Sequence, residues 1–563
     1  MHRMSTETFD IVVIGAGAAG MTAAAVAAAE GRRVLLVEHA RQVGGTTAIS
    51  GGMVWVPANP IMTEAGMPDS LDEARAYLRS TMPPLDDTRT LEAFLERGPE
   101  AIRYLEAKTS VRLQPVKTYP DYYPDQPGAT AGGRVLEPVP FDASELGPAF
   151  ALLRPPLPEF MLFGGMMISR SDIPHLRRMG RSAASAWHVA KLVGRYALQR
   201  LRAPRGTTLY LGNALAARLL KSVRELGVEL RIGTSVTRLL TSEGGVTGVE
   251  IEHGGRRDQV RARAVILACG GISHDASLRP RYMPAGIDAL SATVRSGAAS
   301  SGAALAQAAG ARLSAAAGAR QGFWVPASTF SRPDGSPAVF PHTVTDRGKP
   351  GVIAVDKRGR RFVNEAVSYH EFVLRQLKAG PDALPAWLVC DRRFLWKYGL
   401  GSVKPFSLST WGAVRSGYLK RAGTLAELAR EIGVPPDALE ETVQGFNADA
   451  REGLDTEFGR GSDIYQRHLG DGDRRPNPCV APIEQAPFYA VAVRPADLGM
   501  AAGVVADASA RALAADGTPI PGLYVCGNDM ESVMNGAYPG PGITLGPALV
   551  FGYVAGRHAA APG

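Results

Sequence analysis

The segment Ala537-Tyr538-Pro539-Gly540-Pro541-Gly542-Ile543-Thr544-Leu545-Gly546 places a phenol ahead of a turn stiffened by prolines and relieved by glycines. Proline fixes φ and lacks an N–H, whereas glycine lets backbone come close to a ligand. Tyr538 O–H and the bare Gly542 N–H can therefore converge on one point. Two converging donors are what a carbonyl oxygen needs when negative charge develops on it. Taken alone, the segment is equally an ordinary turn. Its meaning depends on what the rest of the chain binds.

Residues 9–14 form a short apolar run rich in β-branched residues, read as a buried strand. It enters Gly15-Ala16-Gly17-Ala18-Ala19-Gly20, followed by an Ala-rich helix from Met21 to Glu30 that stops at Gly31. A second strand, 34–37, ends in Glu38. This is a complete dinucleotide unit: strand, G-x-G-x-x-G, helix, strand and acidic residue. The glycines make the tight turn and bring a pyrophosphate to the helix N-terminus, while Glu38 accepts from ribose hydroxyls.

Gly44-Gly45-Thr46-Thr47-Ala48-Ile49-Ser50-Gly51-Gly52 resembles the glycine doublet of flavoproteins with two dinucleotide-binding domains, where this segment runs along FAD. Val265-Ile266-Leu267-Ala268-Cys269-Gly270-Gly271 resembles their strand followed by A-x-G-G. Pro521-Gly522-Leu523-Tyr524-Val525-Cys526-Gly527-Asn528 resembles their segment beside the isoalloxazine. The resemblance implies FAD contacts from Gly15, Gly17, Ala18, Ala19, Gly20, Glu38, Gly44, Gly45, Thr46, Thr47, Ser50, Gly51 and Gly52. It adds Val236, where this class turns backbone toward the adenine, then Ala268, Gly270, Gly527, Asn528, Gly542, Thr544 and Leu545.

A chain of 563 residues exceeds one ordinary core, so two domains are expected. Hydrophobic content of 45% and a mean hydropathy near zero mark a folded, soluble chain. Cys269, Cys390, Cys479 and Cys526 lack metal spacing, so no metal is expected; Cys269 and Cys526, at predicted strand ends near the flavin, read as small buried hydrophobes rather than redox groups. No secretory signal or long charge-free apolar run is visible, which predicts a cytoplasmic protein.

From His175 to Gly206 there is no Asp or Glu, while Arg177, Arg178, Arg181, Lys191, Arg195, Arg200, Arg202 and Arg205 together equal the net charge of +8. This localisation argues against nucleic-acid binding. Interleaved apolar residues fit an amphipathic helix. One reading is a membrane-surface helix through residues 175–206 that collects a lipophilic substrate. The preferred reading is a helical insertion packed on the domain with a solvated basic face.

The expected fold is α/β, a Rossmann-like FAD-binding domain with an inserted α+β substrate domain. Residues 1–320 form the cofactor domain, with the basic insertion near 150–205; 321–495 form the substrate domain; 496–563 return to the first. A helix is expected over 215–226, short strands over 228–232, 236–240, 246–251, 259–260 and 265–268, and a Gly/Ala/Ser-rich helix over 297–310.

Gly359-Arg360-Arg361-Phe362-Val363-Asn364-Glu365 resembles the G-x-R-F-x-N-E pattern of the fumarate reductase/succinate dehydrogenase flavoprotein superfamily. Tyr369, taken with Asp121-Tyr122-Tyr123 and the Tyr538–Gly542 turn, is similar to the 3-ketosteroid Δ1-dehydrogenases, and the similarity spans nearly the whole chain. The resemblance implies that Tyr538 O–H and Gly542 N–H hold a steroid C3 carbonyl, Tyr369 removes a C2 proton, and Tyr122 assists by hydrogen bonding and proton relay. Flavin N5 then accepts hydride from C1, and an external acceptor reoxidises the flavin. A free tyrosine titrates near 10, so Tyr369 needs a neighbour that favours phenolate.

Thr46 stands where covalent members of the superfamily carry histidine, which predicts non-covalent FAD. The residues 535–540 lack the Arg and His that fumarate and succinate enzymes place near substrate carboxylates, so a neutral ketone fits better than a dicarboxylate. Rival readings are a Δ4-dehydrogenase or another ketone or enone flavin oxidoreductase, and, from a different class, a flavin electron carrier without turnover.

Overall fold

The computed structural model describes residues 6–288, 290–295, 297, 301–315 and 318–562. The apolar run 9–14 lies in the strand Thr6–Ile14, whose centre from Ile11 to Val13 is fully buried. It pairs in parallel with Val34–Val37 on one side and Arg256–Leu267 on the other. Unbroken apolar strands are expected where helices cover both faces of a parallel sheet. The sheet order is Arg511–Leu513, Pro519–Val525, Arg256–Leu267, Thr6–Ile14, Val34–Val37, Glu229–Arg231, and the antiparallel pair Ser235–Ser242 and Gly245–His253 attaches to Arg256–Leu267.

Two expected elements differ. Positions 259–260 and 265–268 belong to one strand, Arg256–Leu267, in which Val260, Ala262 and Ala264 are buried while Arg261 and Arg263 point outward. That alternation has the period of a half-buried strand and was hidden by the arginines. The helix expected from Leu215 begins earlier, at Leu211. Of the helix expected over 297–310, Gly302–Ala308 is helical, and residues 296 and 298–300 lie outside the described residues.

The Ala-rich helix Ala18–Ala29 packs on the last helix, Leu545–Ala560. A Cβ on Gly552 would lie 2.7 Å from Ala19 O, and one on Gly556 2.7 Å from Ala23 O. These paired approaches make the helices parallel, so both N-termini, with their partial positive charge, open toward the same end of the sheet.

A second sheet is wholly antiparallel, in the order Pro337–Pro341, Gly322–Ser331, Phe488–Met500, Ala386–Asp391, Val352–Val355, with Lys420–Ala422 also on Phe488–Met500. Its residues alternate between two apolar cores, one around Phe372 and Phe394 and one around Leu428 and Phe446. The strand Phe488–Met500 runs past the boundary at 495 that texture alone suggested.

The basic segment contains two helices, Asp172–Arg178 and Ala183–Arg200. Val189 and Tyr196 pack inward, but Trp187, Leu198 and Leu201 are 66%, 68% and 80% exposed. The apolar face expected to be packed is therefore largely open. Nor is every cation solvated: Arg205 is buried, donates to Asn213 Oδ1 at 3.0 Å and stacks on Phe150. Among the described residues no helix is long and apolar enough to cross a membrane.

Candidate active site

Four glycine-rich segments meet at the start of the Ala18–Ala29 helix. Gly15 and Gly20 are required by packing: a Cβ on Gly15 would lie 2.3 Å from Ala268 O, and one on Gly20 1.8 Å from Gly15 O. Gly44 N donates to Ala16 O at 2.8 Å, Ala18 N to Thr47 Oγ1 at 3.2 Å, and Val294 N to Thr46 Oγ1 at 3.0 Å. Gly52 abuts the Leu211–Gly212 backbone, Ser50 Oγ bonds its own turn, and a Cβ on Gly527 would lie 2.8 Å from Ala19 Cβ. In contrast, Cβ atoms on Gly17, Gly51 or Gly270 would meet no atom within 4 Å, and one on Gly45 only Gly17 Cα at 3.8 Å. Tight glycines thus form the walls of a cradle whose open glycines face free space, a shape that fits a dinucleotide.

Glu38 closes one end of the cradle, accepting from Ala16 N and Ala40 N at 2.8 Å each. Val236 is the second residue of the strand Ser235–Ser242, which a 2.8 Å His39–Ser235 bond ties to the Glu38 corner. At the other end Asp529, fully buried, accepts from Gly271 N at 2.9 Å and from Cys269 N, which fixes the loop of Ala268 and Gly270 beside Asn528. Sequence reading missed Asp529, since its role is to hold glycine loops rather than to touch a ligand.

The Tyr538 turn is held by the N-terminal half of the chain. Pro539 O accepts from Tyr77 O–H at 2.5 Å and from Tyr122 N at 2.9 Å. A Cβ on Gly540 would lie 2.5 Å from Trp55 Nε1. Gly542 has φ +101 and sits against Met53 O, 2.5 Å from where its Cβ would be. Its carbonyl accepts from Trp55 N and Gly546 N, which joins the turn to the last helix where Thr544 and Leu545 begin it.

Tyr122 follows Asp121, whose buried carboxylate accepts from Trp55 Nε1 at 2.8 Å, Thr130 N at 3.0 Å and Arg134 at 2.9 Å, with Arg134 also paired to Asp69 at 2.7 Å. Asp121 is thus the anchor of the loop that carries Tyr122, a role its neighbour's resemblance did not disclose. Burial raises its carboxyl above the ordinary range, opposed chiefly by Arg134.

Tyr369 opens the helix Tyr369–Ala379, whose first turn is capped by Ser368 accepting from Glu371 N. The G-x-R-F-x-N-E motif is a buried ionic clasp upstream of it. Arg361 pairs with Glu365 at 2.9 Å and Asp455 at 2.8 Å, Arg460 pairs with Glu365 at 3.1 Å, and Asn364 donates to Gln466 Oε1. The clasp ties Tyr369 to the segment that carries Tyr465. Arg347 adds bonds to the carbonyls of Glu365 and Val367 at 2.9 and 3.2 Å.

Tyr122, Tyr369 and Tyr538 meet. Tyr369 O–H donates to Tyr538 Oη at 2.8 Å. The Tyr122 and Tyr538 rings stack at 5.7 Å with planes 19° apart, and Tyr369 meets both edge-on. Phe323 and His370 complete the box around Tyr538 at 5.6 and 5.5 Å. His370 Nδ1 accepts from Trp324 N at 3.2 Å, and burial pushes its imidazole down to about 3, so it stays neutral. Only its position beside Tyr369 could have flagged it.

Burial pushes Tyr538 up to about 12, tempered by the hydrogen bond it accepts from Tyr369. Burial also carries Tyr369 and Tyr122 well above the ordinary tyrosine range, with neighbouring phenols adding to it. The Tyr122 hydroxyl has no hydrogen bond of acceptable geometry, although it lies close enough to Tyr119 and Tyr369 to favour their ionised forms. In this state the cluster is a set of neutral donors, suited to stabilising an oxyanion. Among the described residues no group of His, Cys, Asp or Glu could hold a metal ion.

The profile of a family described as an FAD binding domain matches residues 10–545. A 4-oxocyclohex-2-ene-1-carboxylate 5-dehydrogenase of Sinomonas cyclohexanicum is 39% identical over 98% of this chain and 93% of its own length. A 3-oxosteroid 1-dehydrogenase of Mycobacterium tuberculosis is 36% identical over 99% of each chain. Among solved structures, the 3-ketosteroid Δ1-dehydrogenase from Sterolibacterium denitrificans in complex with 1,4-androstadiene-3,17-dione superposes with a TM-score of 0.91 at 36% identity, covering 99% of this chain and 100% of that one.

Proposed function

This chain is an FAD-binding member of the 3-ketosteroid Δ1-dehydrogenase family, within the fumarate reductase/succinate dehydrogenase flavoprotein superfamily, and on that premise we propose that it dehydrogenates a 3-ketosteroid between C1 and C2. The observation that carries the reading is the 2.8 Å bond between the Tyr369 and Tyr538 hydroxyls, with Tyr122 stacked on the latter. FAD, when bound, supplies the hydride acceptor. The cradle residues Gly15, Gly17, Ala18, Ala19, Gly20, Glu38, Gly44, Gly45, Thr46, Thr47, Ser50, Gly51, Gly52, Val236, Ala268, Gly270, Gly527, Asn528, Gly542, Thr544 and Leu545 would hold it. Thr46, at the position of a flavin-linking histidine, makes the attachment non-covalent.

The chain's own residues do the acid–base work. Tyr538 O–H and Gly542 N–H hold the C3 carbonyl and stabilise charge on its oxygen. That stabilisation makes the neighbouring C–H acidic enough to surrender a proton. Tyr369 as phenolate receives it from C2, and Tyr122 relays it onward. The substrate domain is the unit built on the second sheet, ending with the strand Phe488–Met500 rather than at 495, the oxidant is an external electron acceptor, and the protein is cytoplasmic. The exposed Trp187, Leu198 and Leu201 among basic residues support peripheral contact of 175–206 with a membrane surface.

A second reading is favoured by the 39% identical relative, whose substrate is a cyclohexenone carrying a carboxylate. Both readings desaturate a cyclic ketone beside its carbonyl. Incubation with a panel of neutral 3-ketosteroids, read by product mass and by the position of the new double bond, tests the first. Loss of two hydrogens at C1 and C2 supports it, and no product from any steroid refutes it.

A further inference from the structure

Among the described residues, ten of the twelve large apolar side chains left exposed lie in two stretches, 163–201 and 396–411. The first is the basic insertion. The second runs from the helix Arg392–Tyr398, which follows the strand Ala386–Asp391 of the second sheet, to the short helix Trp411–Arg415. Its Leu408 is 95% exposed, Trp411 65% and Trp396 49%. Around it, residues 392–426 contain no Asp or Glu but seven Lys or Arg. The composition of 175–206 thus recurs in a distant part of the chain. Helical periodicity does not reveal it, because most of 399–410 is loop.

The two stretches are adjacent. Lys404 Nζ donates to Pro158 O at 3.3 Å and to Met161 O, two residues before the exposed Phe163. Arg177 of the insertion lies 5.5 Å from the centroid of the Tyr398 ring. Phe406 N donates to Trp396 O at 2.9 Å, and their rings meet edge-on at 5.6 Å. The Arg415 guanidinium stands 4.8 Å from the centroid of the Trp411 ring. Apolar tips and cations therefore share one edge of the molecule, with Arg392, Arg393 and Arg415 exposed beside them.

Contiguous exposed apolar side chains mark an interaction surface, and the charge around them selects the partner. A second copy meeting through this face would set cations against cations. A nucleic acid would satisfy the cations but leave Leu408 and Phe163 without apolar partners. An anionic bilayer surface takes both, with lipid phosphates for the cations and the headgroup boundary for the rings and Leu408. Stable attachment without a spanning helix takes two signals, and two weak segments on one folded chain reinforce each other.

We propose that residues 396–411 are a second docking segment, which together with the insertion seats the protein on an anionic lipid surface. This rests on the contact of 175–206 with a membrane and adds to it a segment from the unit built on the second sheet.

The test is sedimentation of the FAD-loaded full chain at low salt with phosphatidylcholine vesicles, with and without phosphatidylserine. Wild type is expected to pellet with the anionic vesicles. Leu408→Asp combined with Trp411→Asp should weaken that binding by about tenfold or more, with bound FAD and melting temperature unchanged. Binding unaffected by this pair overturns the proposal, and leaves the insertion contact standing if reversing Lys191, Arg200 and Arg202 does release the protein. Release by the Leu408/Trp411 pair while the reversed insertion still binds supports the segment and removes the insertion. No binding by wild type overturns both. A native mass that falls from dimer to monomer in the pair variant, without vesicles, assigns the face to a second copy and overturns the lipid partner. A conservative variant gives a second readout. Brominated acyl chains should quench wild-type tryptophan fluorescence, and less so in Trp411→Phe; undiminished quenching there overturns the proposal.

Discussion

Tyr369 O–H donates to Tyr538 Oη across 2.8 Å, joining the start of the helix Tyr369–Ala379 to the turn that precedes the last helix. The contact closes the site between two parts of the chain separated by 168 intervening residues (|i−j| of 169). In that bond Tyr538 is the acceptor, so its own proton remains available to a further acceptor.

Tyr369→Phe should keep FAD bound but lower the rate of flavin reduction by about 10²–10⁴, the usual worth of a positioned general base. Tyr538→Phe should lower the rate by about 10²–10³ through loss of one oxyanion donor, and weaken substrate binding as well. Anaerobic stopped-flow with a 3-ketosteroid measures both. Normal reduction in Tyr369→Phe would remove it as the base.

Burial raises Tyr369 above the ordinary tyrosine range, so the fraction of phenolate grows with pH throughout the accessible range. Flavin reduction should therefore accelerate with rising pH and show no plateau below the ordinary tyrosine value. Tyr538, at about 12, remains a donor across the same range. A rate independent of pH between about 6 and 10 would contradict this assignment.

The same shift affects stability. Tyr538 titrates near 10 when unfolded and about 12 when folded. Because the folded value is raised, its contribution is complete below pH 10 and is lost as pH climbs through 12. The difference corresponds to about 3 kcal/mol. Melting temperature against pH should fall more steeply above pH 10 in wild type than in Tyr538→Phe.

Gly542→Ala should damage the site without removing a functional side chain. Its φ of +101 is strained for alanine, and the new Cβ would lie 2.5 Å from Met53 O. A cost of about 1–3 kcal/mol is expected, visible as a lower melting temperature together with slower flavin reduction.

Reversing the exposed charges of Lys191, Arg200 and Arg202 should abolish binding to anionic liposomes at low salt, since each such cation contributes about 1 kcal/mol near the surface. Sedimentation measures it. Equal pelleting of wild type and the reversed variant would end the membrane reading.

The cofactor cradle was legible because its chemistry is local: Gly15, Gly20 and Glu38 sit where a strand-turn-helix demands them. The tyrosines were legible only through resemblance, because Tyr122, Tyr369 and Tyr538 are far apart in sequence and each alone is an ordinary packing residue. The anchoring roles of Asp121, Asp529 and Arg347 were not legible. They act through bonds to backbone and to partners distant in the chain, and no periodicity or spacing encodes such partners. The basic insertion misled for the opposite reason. Its apolar residues have helical spacing, but that pattern cannot say whether the protein covers them, and Trp187 and Leu201 are left open.

The most direct measurement is anaerobic addition of a neutral 3-ketosteroid to the FAD-loaded protein, followed by absorbance of the oxidised flavin and mass of the product. The yellow colour should bleach with one steroid consumed per flavin, giving a product lighter by two hydrogens and unsaturated between C1 and C2. A flavin that stays oxidised with every steroid tried, or a product unsaturated elsewhere, would contradict the assignment of the Tyr122–Tyr369–Tyr538 cluster to this chemistry.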